Sequence, residues 1–264
     1  MNKKVFGTRE WSSHSFNISR GCTHNCRYCY ARSDALKRFK TIKTSEEWKT
    51  VTQLPKALSK KWSKKDGTIM FPTQHDIVPE NIDDCIVALT NMLKAGNNVL
   101  IVSKPHIECI WRLCDSLKEY KDQILFRFTI GSDNDEILSY WEPGAPSFAE
   151  RLTALKFAFH RGFQTSVSME PVLDWLFLIR TYNKLSPYVT NSIWIGMMNF
   201  IDKRVDINSE EDRKQVERIK KYQECEWYLN SIYLHFKDHP LIKWKESMKD
   251  VLNLEIPEEI GLDL

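Results

Sequence analysis

Residues 98–130 decide the fold. Asn98-Val-Leu-Ile-Val-Ser103 is a short apolar strand, Ile107 to Tyr120 carries a helical period, and Ile124-Leu-Phe-Arg-Phe-Thr-Ile130 is a strand again. Strand, crossover helix and strand within so short a span is the unit from which parallel sheets are built. The unit repeats in both directions. Upstream lie the strand Thr68-Ile-Met-Phe71 and a helix from Asn81 to Ala95. Downstream, a short helix near Glu136 and a long one from Phe148 to His160 lead to the strand Gly162–Met169. A helix from Asp174 to Leu185 then leads to Ser192–Gly196. With a first strand within residues 5 to 20, ending at Gly21, the pattern predicts an α/β fold: a partial (β/α)6 TIM-type barrel of parallel strands.

Parity along two strands indicates that the sheet is curled. Phe126, Phe128 and Ile130 share one face, Leu125, Arg127 and Thr129 the other, and Val167 and Met169 alternate with Ser166, Ser168 and Glu170. A flat parallel sheet covered by helices on both sides would be apolar on both faces. A polar inner face predicts a lumen holding solvent or ligand, unless Arg127 is neutralised by a structural carboxylate such as Glu142.

The alternation ends after Asn199, dividing the chain into a barrel, residues 1–200, and a helical extension, residues 201–264, expected to close the barrel. Within the extension, Ser209 to Phe236 reads as helix with a capped start at Ser209-Glu-Glu-Asp, and Ile242 to Leu252 as a last amphipathic helix after Pro240. Near the N-terminus, Tyr30 to Phe39 reads as helix, and so does the basic, Trp-dotted stretch Ser45 to Lys65, interrupted at Pro55.

Thirty-eight basic against 35 acidic residues give a formal charge of +3, too near balance to demand nucleic acid or an anionic membrane. No run of apolar residues is long enough to span a membrane. The first nine residues contain no apolar signal core, so a cytoplasmic chain with reduced thiols is expected. Cys85, Cys109, Cys114 and Cys225 lack paired ligand spacing and read as small buried hydrophobes.

The remaining three cysteines lie in Ser19-Arg-Gly-Cys22-Thr-His-Asn-Cys26-Arg-Tyr-Cys29-Tyr-Ala-Arg32, at C-x3-C-x2-C spacing. Three thiolates on one loop can converge on a single metal centre, and three are one short of the four that saturate an iron–sulfur cluster. Zinc with His24 completing a Cys3His set is the alternative, although ligands at 22, 24, 26 and 29 leave almost no slack around one ion. The loop, with an aromatic residue before its last cysteine, resembles that of the radical S-adenosylmethionine (SAM) superfamily. The resemblance implies a 4Fe-4S cluster held by Cys22, Cys26 and Cys29, with SAM on the open iron. One electron then cleaves SAM to methionine and a 5′-deoxyadenosyl radical, which abstracts hydrogen from a substrate. A one-electron reductant such as flavodoxin or ferredoxin is implied as partner.

Phe71-Pro-Thr-Gln-His-Asp-Ile-Val-Pro-Glu80, Val102-Ser-Lys104, Phe126-Arg-Phe-Thr129 and Trp141-Glu-Pro-Gly-Ala-Pro-Ser-Phe-Ala-Glu-Arg151 are similar to strand ends of the spore photoproduct lyase branch. The resemblance implies that Tyr28 and Tyr30 pack on SAM, that Lys104 pairs with its carboxylate, that Thr129 hydrogen-bonds it, and that His75 contacts it. Two positions depart from the lyase. Thr73 stands where the lyase carries its hydrogen-donating cysteine, and Glu170 where it carries a small apolar residue. Glu170 is therefore a candidate for SAM's ribose or for the substrate, and Asp76 for a catalytic group or a turn residue before Pro79. Glu142 and Arg151 read as a structural pair, His106 as a loop residue near substrate or without a role, and Trp194 and Met197 as packing. Three functions stay open: a radical SAM enzyme acting on a small or medium polar substrate, a DNA lesion lyase using a basic face around Lys37, Arg38, Lys40 and Lys43, and a zinc-binding protein without turnover.

Overall fold

A computed structural model describes residues 5–262. The strands in chain order are β1 (His14–Ser15), β2 (Ser19–Arg20), β3 (Thr52–Gln53), β4 (Thr68–Phe71), β5 (Asn98–Ser103), β6 (Ile124–Thr129), β7 (Gln164–Met169), β8 (Ile193–Ile195) and β9 (Ile242–Trp244). Seven of them form one sheet in the order β1-β4-β5-β6-β7-β8-β9, with every pairing parallel. The helices that carry the crossovers are α1 (Tyr30–Ser33), α2 (Ile82–Lys94), α3 (Ile107–Ser116), α4 (Asp135–Trp141), α5 (Phe148–His160) and α6 (Leu178–Leu185). Beyond β8 follow α7 (Ile201–Arg204), α8 (Glu210–Gln223), α9 (Glu226–Phe236) and α10 (Glu246–Val251).

The parity of the strands is realised in the packing. Phe126, Phe128, Val167 and Met169 are fully buried in the main core with helix residues such as Leu89, Leu113 and Leu155. The opposite face is also buried, but it mixes polar groups with a small separate cluster of Trp11, Met70, Leu100 and Trp194. Arg127 lies there. Its Nε donates to Ser166 Oγ at 2.9 Å, and its guanidinium sits 4.6 Å from the Trp11 ring and 5.1 Å from the Trp194 ring. Glu142 does not neutralise it, because Glu142 is paired with Arg151 at 2.6 Å.

Local chemistry explains where helices begin. Ser147 Oγ accepts from Glu150 N at the start of α5, Asn134 Oδ1 from Glu136 N at α4, and Ser209 Oγ from Asp212 N at α8.

Four segments differ from expectation. In residues 5 to 20 only His14–Ser15 joins the main sheet, and Ser19–Arg20 instead pairs antiparallel with Thr52–Gln53. The stretch 45–65 is one turn of 3-10 helix, Glu46–Lys49, followed by β3 and turns, since Pro55 removes a donor where a helix would need one. Residues 209–236 make two helices rather than one, broken around Glu224 and Cys225. Ile242–Trp244 is a strand added to the sheet beside β8, and the last helix starts only at Glu246.

Candidate active site

The cysteine loop follows β2 and is fixed by close backbone approaches. A Cβ on Gly21, which has φ +85°, would stand 2.0 Å from Thr50 O, and one on Gly144 would stand 2.1 Å from Thr23 O. Only glycine permits either contact. Cys22 N donates to Trp48 O at 2.8 Å, and Arg27 N to Trp141 O at 2.8 Å, so the loop is pinned from both sides.

The loop forms one wall of a cavity of about 510 Å³ at the C-terminal ends of the parallel strands. Cys22, Cys26 and Cys29 line it, and so do Tyr28 and Tyr30 beside them. His75 and Asp76 after β4, Lys104 after β5, Thr129 at the end of β6 and Glu170 after β7 also line it. Every site residue expected from the sequence thus reaches the same space.

Asp76 is the most connected of them. Its carboxylate accepts from Lys104 N at 2.8 Å and Ser103 Oγ at 3.1 Å, and meets His24 Nδ1 at 2.9 Å and Lys104 Nζ at 3.5 Å. Burial alone would raise this carboxyl, but Lys104 and His24 hold it well below the carboxylate range. Burial alone would lower Lys104, yet Asp76 and the other acids around it push it well above the ordinary lysine value. The pair is ionised, and it fastens the end of β5 to the loop.

His75 has its ring nitrogens engaged by backbone. Nε2 accepts from Ile18 N at 3.2 Å, and Nδ1 meets Asp76 O at 3.0 Å. Burial lowers this imidazole, which stays neutral as those bonds require. Both nitrogens of His24 are likewise taken, Nδ1 by Asp76 and Nε2 by His106 Nε2 at 2.9 Å. Cys22, His24 and Asp76 have ligand atoms within 4.8 Å of one another, but a zinc ion could use His24 only by breaking one of these bonds. Tyr30 donates to Thr73 O at 2.5 Å, and Tyr28 to Glu142.

The donor set fits an iron–sulfur cluster. The three thiols are free and turned to the cavity, and the imidazole between them is occupied. Burial pushes Cys22 up to about 12, Cys26 well above the usual thiol value, and Cys29 up as well. Such thiols ionise only when a cationic centre compensates them. Arg32 N donates to Cys29 Sγ at 3.4 Å, the kind of bond that tunes a ligating sulfur. Cys85, Cys109 and Cys114 are buried in the core, and Cys225 is half-buried.

At the far end of the cavity lies a charge cluster not anticipated from the sequence. Lys245, fully buried at the end of β9, donates to Gly7 O at 2.9 Å and pairs with Glu10, with Glu246 at 3.3 Å and with Glu170 at 3.6 Å. Its ammonium lies 4.3 Å from the Trp11 ring. Burial raises Glu170 to about 7 and Glu10 to about 9, while Glu246, bonded by Glu10 and Lys245, is lowered. The signal that could have found Lys245 is the period-two run Ile242-Lys-Trp-Lys245, which as a strand would carry it to a strand end.

A family model described as the radical SAM superfamily matches residues 16–174. An uncharacterised protein, ORF301 of Acidianus two-tailed virus, is 26% identical over 171 residues, covering 60% of this chain. The match takes in 55% of the viral protein, so the chain spans about half the length of that curated relative. Among solved structures, a doubly substituted spore photoproduct lyase with bound AdoMet and dinucleoside spore photoproduct superposes with a TM-score of 0.54 at 14% identity, over 92% of this chain and 79% of that one. Streptococcus suis SuiB bound to S-adenosylmethionine gives 0.55 at 9% identity, over 94% and 54%. At these identities both likenesses concern the fold alone.

Proposed function

The chain belongs to the radical SAM superfamily, whose members bind a 4Fe-4S cluster and SAM, and from that premise we propose an enzyme whose cavity encloses a small or medium polar substrate. Held by Cys22, Cys26 and Cys29, the cluster with SAM would supply one-electron radical chemistry that removes a hydrogen atom from the substrate. The observation that carries this reading is the convergence of Cys22, Cys26, Cys29, Lys104, Thr129 and Glu170 on one cavity.

In this reading the three cysteines hold the cluster, and Lys104 offers its ammonium to the carboxylate of SAM while Asp76 keeps it in place. Tyr28 and Tyr30 form the aromatic wall beside the last thiol. His75 acts by fixing the backbone at Ile18 and Ser19 rather than by contact through its nitrogens. Thr129 and Glu170 serve the adenosine or the substrate from the ends of adjacent strands. The protein's share of the work is orientation, exclusion of water and electrostatics.

Dimer repair on DNA is the weaker alternative. Tyr30 and Asn17 both bond Thr73, which has no thiol to give hydrogen. Lys37, expected on a basic face, is directed to Lys203 O at 2.8 Å and Asp206 at 3.3 Å. The test is anaerobic reconstitution, with about four irons per chain expected and, with dithionite and SAM, formation of 5′-deoxyadenosine. Cys26→Ala should abolish both. Full iron content and turnover in that variant would remove the assignment.

A further inference from the structure

Charges on the cavity wall compensate one another except at its mouth. Asp76 has Lys104 at 3.5 Å, and Glu170 and Glu246 share Lys245 at 3.6 and 3.3 Å. The other fully charged wall residues are two arginines, Arg9 and Arg204, and among the described residues neither guanidinium has an ion pair or a hydrogen bond. Arg9 is exposed, whereas Arg204 is half-buried. Burial pulls its guanidinium below the ordinary arginine value in spite of Asp34 and Glu170 nearby.

Two rings fix Arg204 instead. Its guanidinium carbon lies 5.2 Å from the Phe200 centroid and 5.8 Å from that of Tyr30. Phe200 holds a left-handed backbone, φ 55° and ψ 41°, a conformation that is strained for a bulky residue. The ring so placed is 63% exposed, so core packing does not explain it. What this conformation achieves is an aromatic face at the cavity mouth beside a free guanidinium.

A partly desolvated guanidinium held by aromatic faces, with its fork of N–H donors unused, suits bidentate capture of a carboxylate or phosphate. We infer that Arg204 is a specificity-determining residue that grips an anionic group of the substrate, a carboxylate or a phosphate, at the mouth between Tyr30 and Phe200. Arg9 adds positive charge that draws such a group in. The inference rests on the cavity being the reaction chamber proposed above, but its test needs no turnover.

The test is a ligand-observed NMR titration of the full chain, reconstituted and carrying S-adenosylhomocysteine, and in parallel without the cluster. The probes are phenyl phosphate, benzoate and the neutral benzyl alcohol. Both acids should bind saturably and about tenfold or more tighter than the alcohol, and Arg204→Gln should erase that gap. Arg204→Lys, which keeps charge without the fork, should restore part of it, and Phe200→Ala should weaken all three probes. The tighter of the two acids identifies phosphate or carboxylate as the group. Acids that bind no better than the alcohol, or that fail to bind, would overturn the inference. So would an Arg204→Gln variant that keeps the gap, above all if its affinity for S-adenosylhomocysteine falls, since the guanidinium would then serve the cofactor's carboxylate. Failure of the superfamily chemistry would read separately, as missing iron and 5′-deoxyadenosine.

Discussion

The two ends of the cavity each hold a buried lysine facing carboxylates, and they behave differently because the ratio differs. Beside the cysteines, Lys104 faces Asp76, and the two move apart in opposite directions, the acid down and the lysine up. One ammonium with one carboxylate, reinforced by Ser103 and His24, makes a fixed pair of charges. At the other end Lys245 is shared by Glu10, Glu170 and Glu246. Burial disfavours charge on all three, and one shared ammonium offsets it unequally, so Glu246 lies low, Glu170 near 7 and Glu10 near 9. The cysteine end is therefore electrostatically set, while at the β9 end Glu170 titrates near neutral pH.

Removing Lys245 breaks the comparison most severely. Lys245→Met removes the one ammonium in contact with the buried carboxylates and should cost about 3–5 kcal/mol of stability in urea denaturation at pH 7. Adding Glu10→Gln should recover part of the loss, since it removes one of the stranded acids. A double variant no better than the single would show that the lysine acts through its packing on Trp11 and not through charge.

A smaller effect is expected at the other lysine, and on binding rather than folding. Lys104→Ala removes a charge-assisted bond worth about 1.5–3 kcal/mol, so SAM affinity should fall by about one to two decades while iron content is retained. Equal dissociation constants for variant and parent would place the SAM carboxylate elsewhere.

Glu170→Gln sharpens the comparison most gently. Its carboxyl titrates near 7 in the folded chain against an ordinary 4.5. Between these values the unfolded chain gives up the proton while the folded chain keeps it, so stability falls as pH rises through the window. Glutamine has no such proton. The stability of Glu170→Gln relative to the parent should therefore rise from pH 4.5 to pH 7 and level off above. A difference independent of pH would mean that folding does not raise the carboxyl of Glu170.

Much of the fold was legible because its signals are local and repeated. Strands such as Asn98–Ser103 and Ile124–Thr129 alternate with helices of clear period, and the crossovers from β4 to β5 and from β5 to β6 are short. The expectation failed where elements are too short to set a period. The strand Ile242–Trp244 has three residues, and its apolar pair fits a helix equally well until β8 is beside it. Residues 45–65 form a 3-10 turn, the two-residue β3 and further turns, held by distant contacts such as Cys22 N to Trp48 O and Lys65 N to Asn97 Oδ1.

The sequence by itself brought together the three thiols proposed to hold the cluster, because three cysteines within one loop are neighbours in any fold, and it placed Lys104, Thr129 and Glu170 at strand ends, because side chains alternate with period two. Only the tertiary structure decided what surrounds Glu170. Glu10 lies near one end of the chain and Lys245 and Glu246 near the other, brought together because β9 extends the sheet on the side opposite β1 and the segment before β1 reaches back to it. The environment that raises Glu170 and the free guanidinium of Arg204 are both sums over such distant neighbours, and no spacing along the chain encodes them.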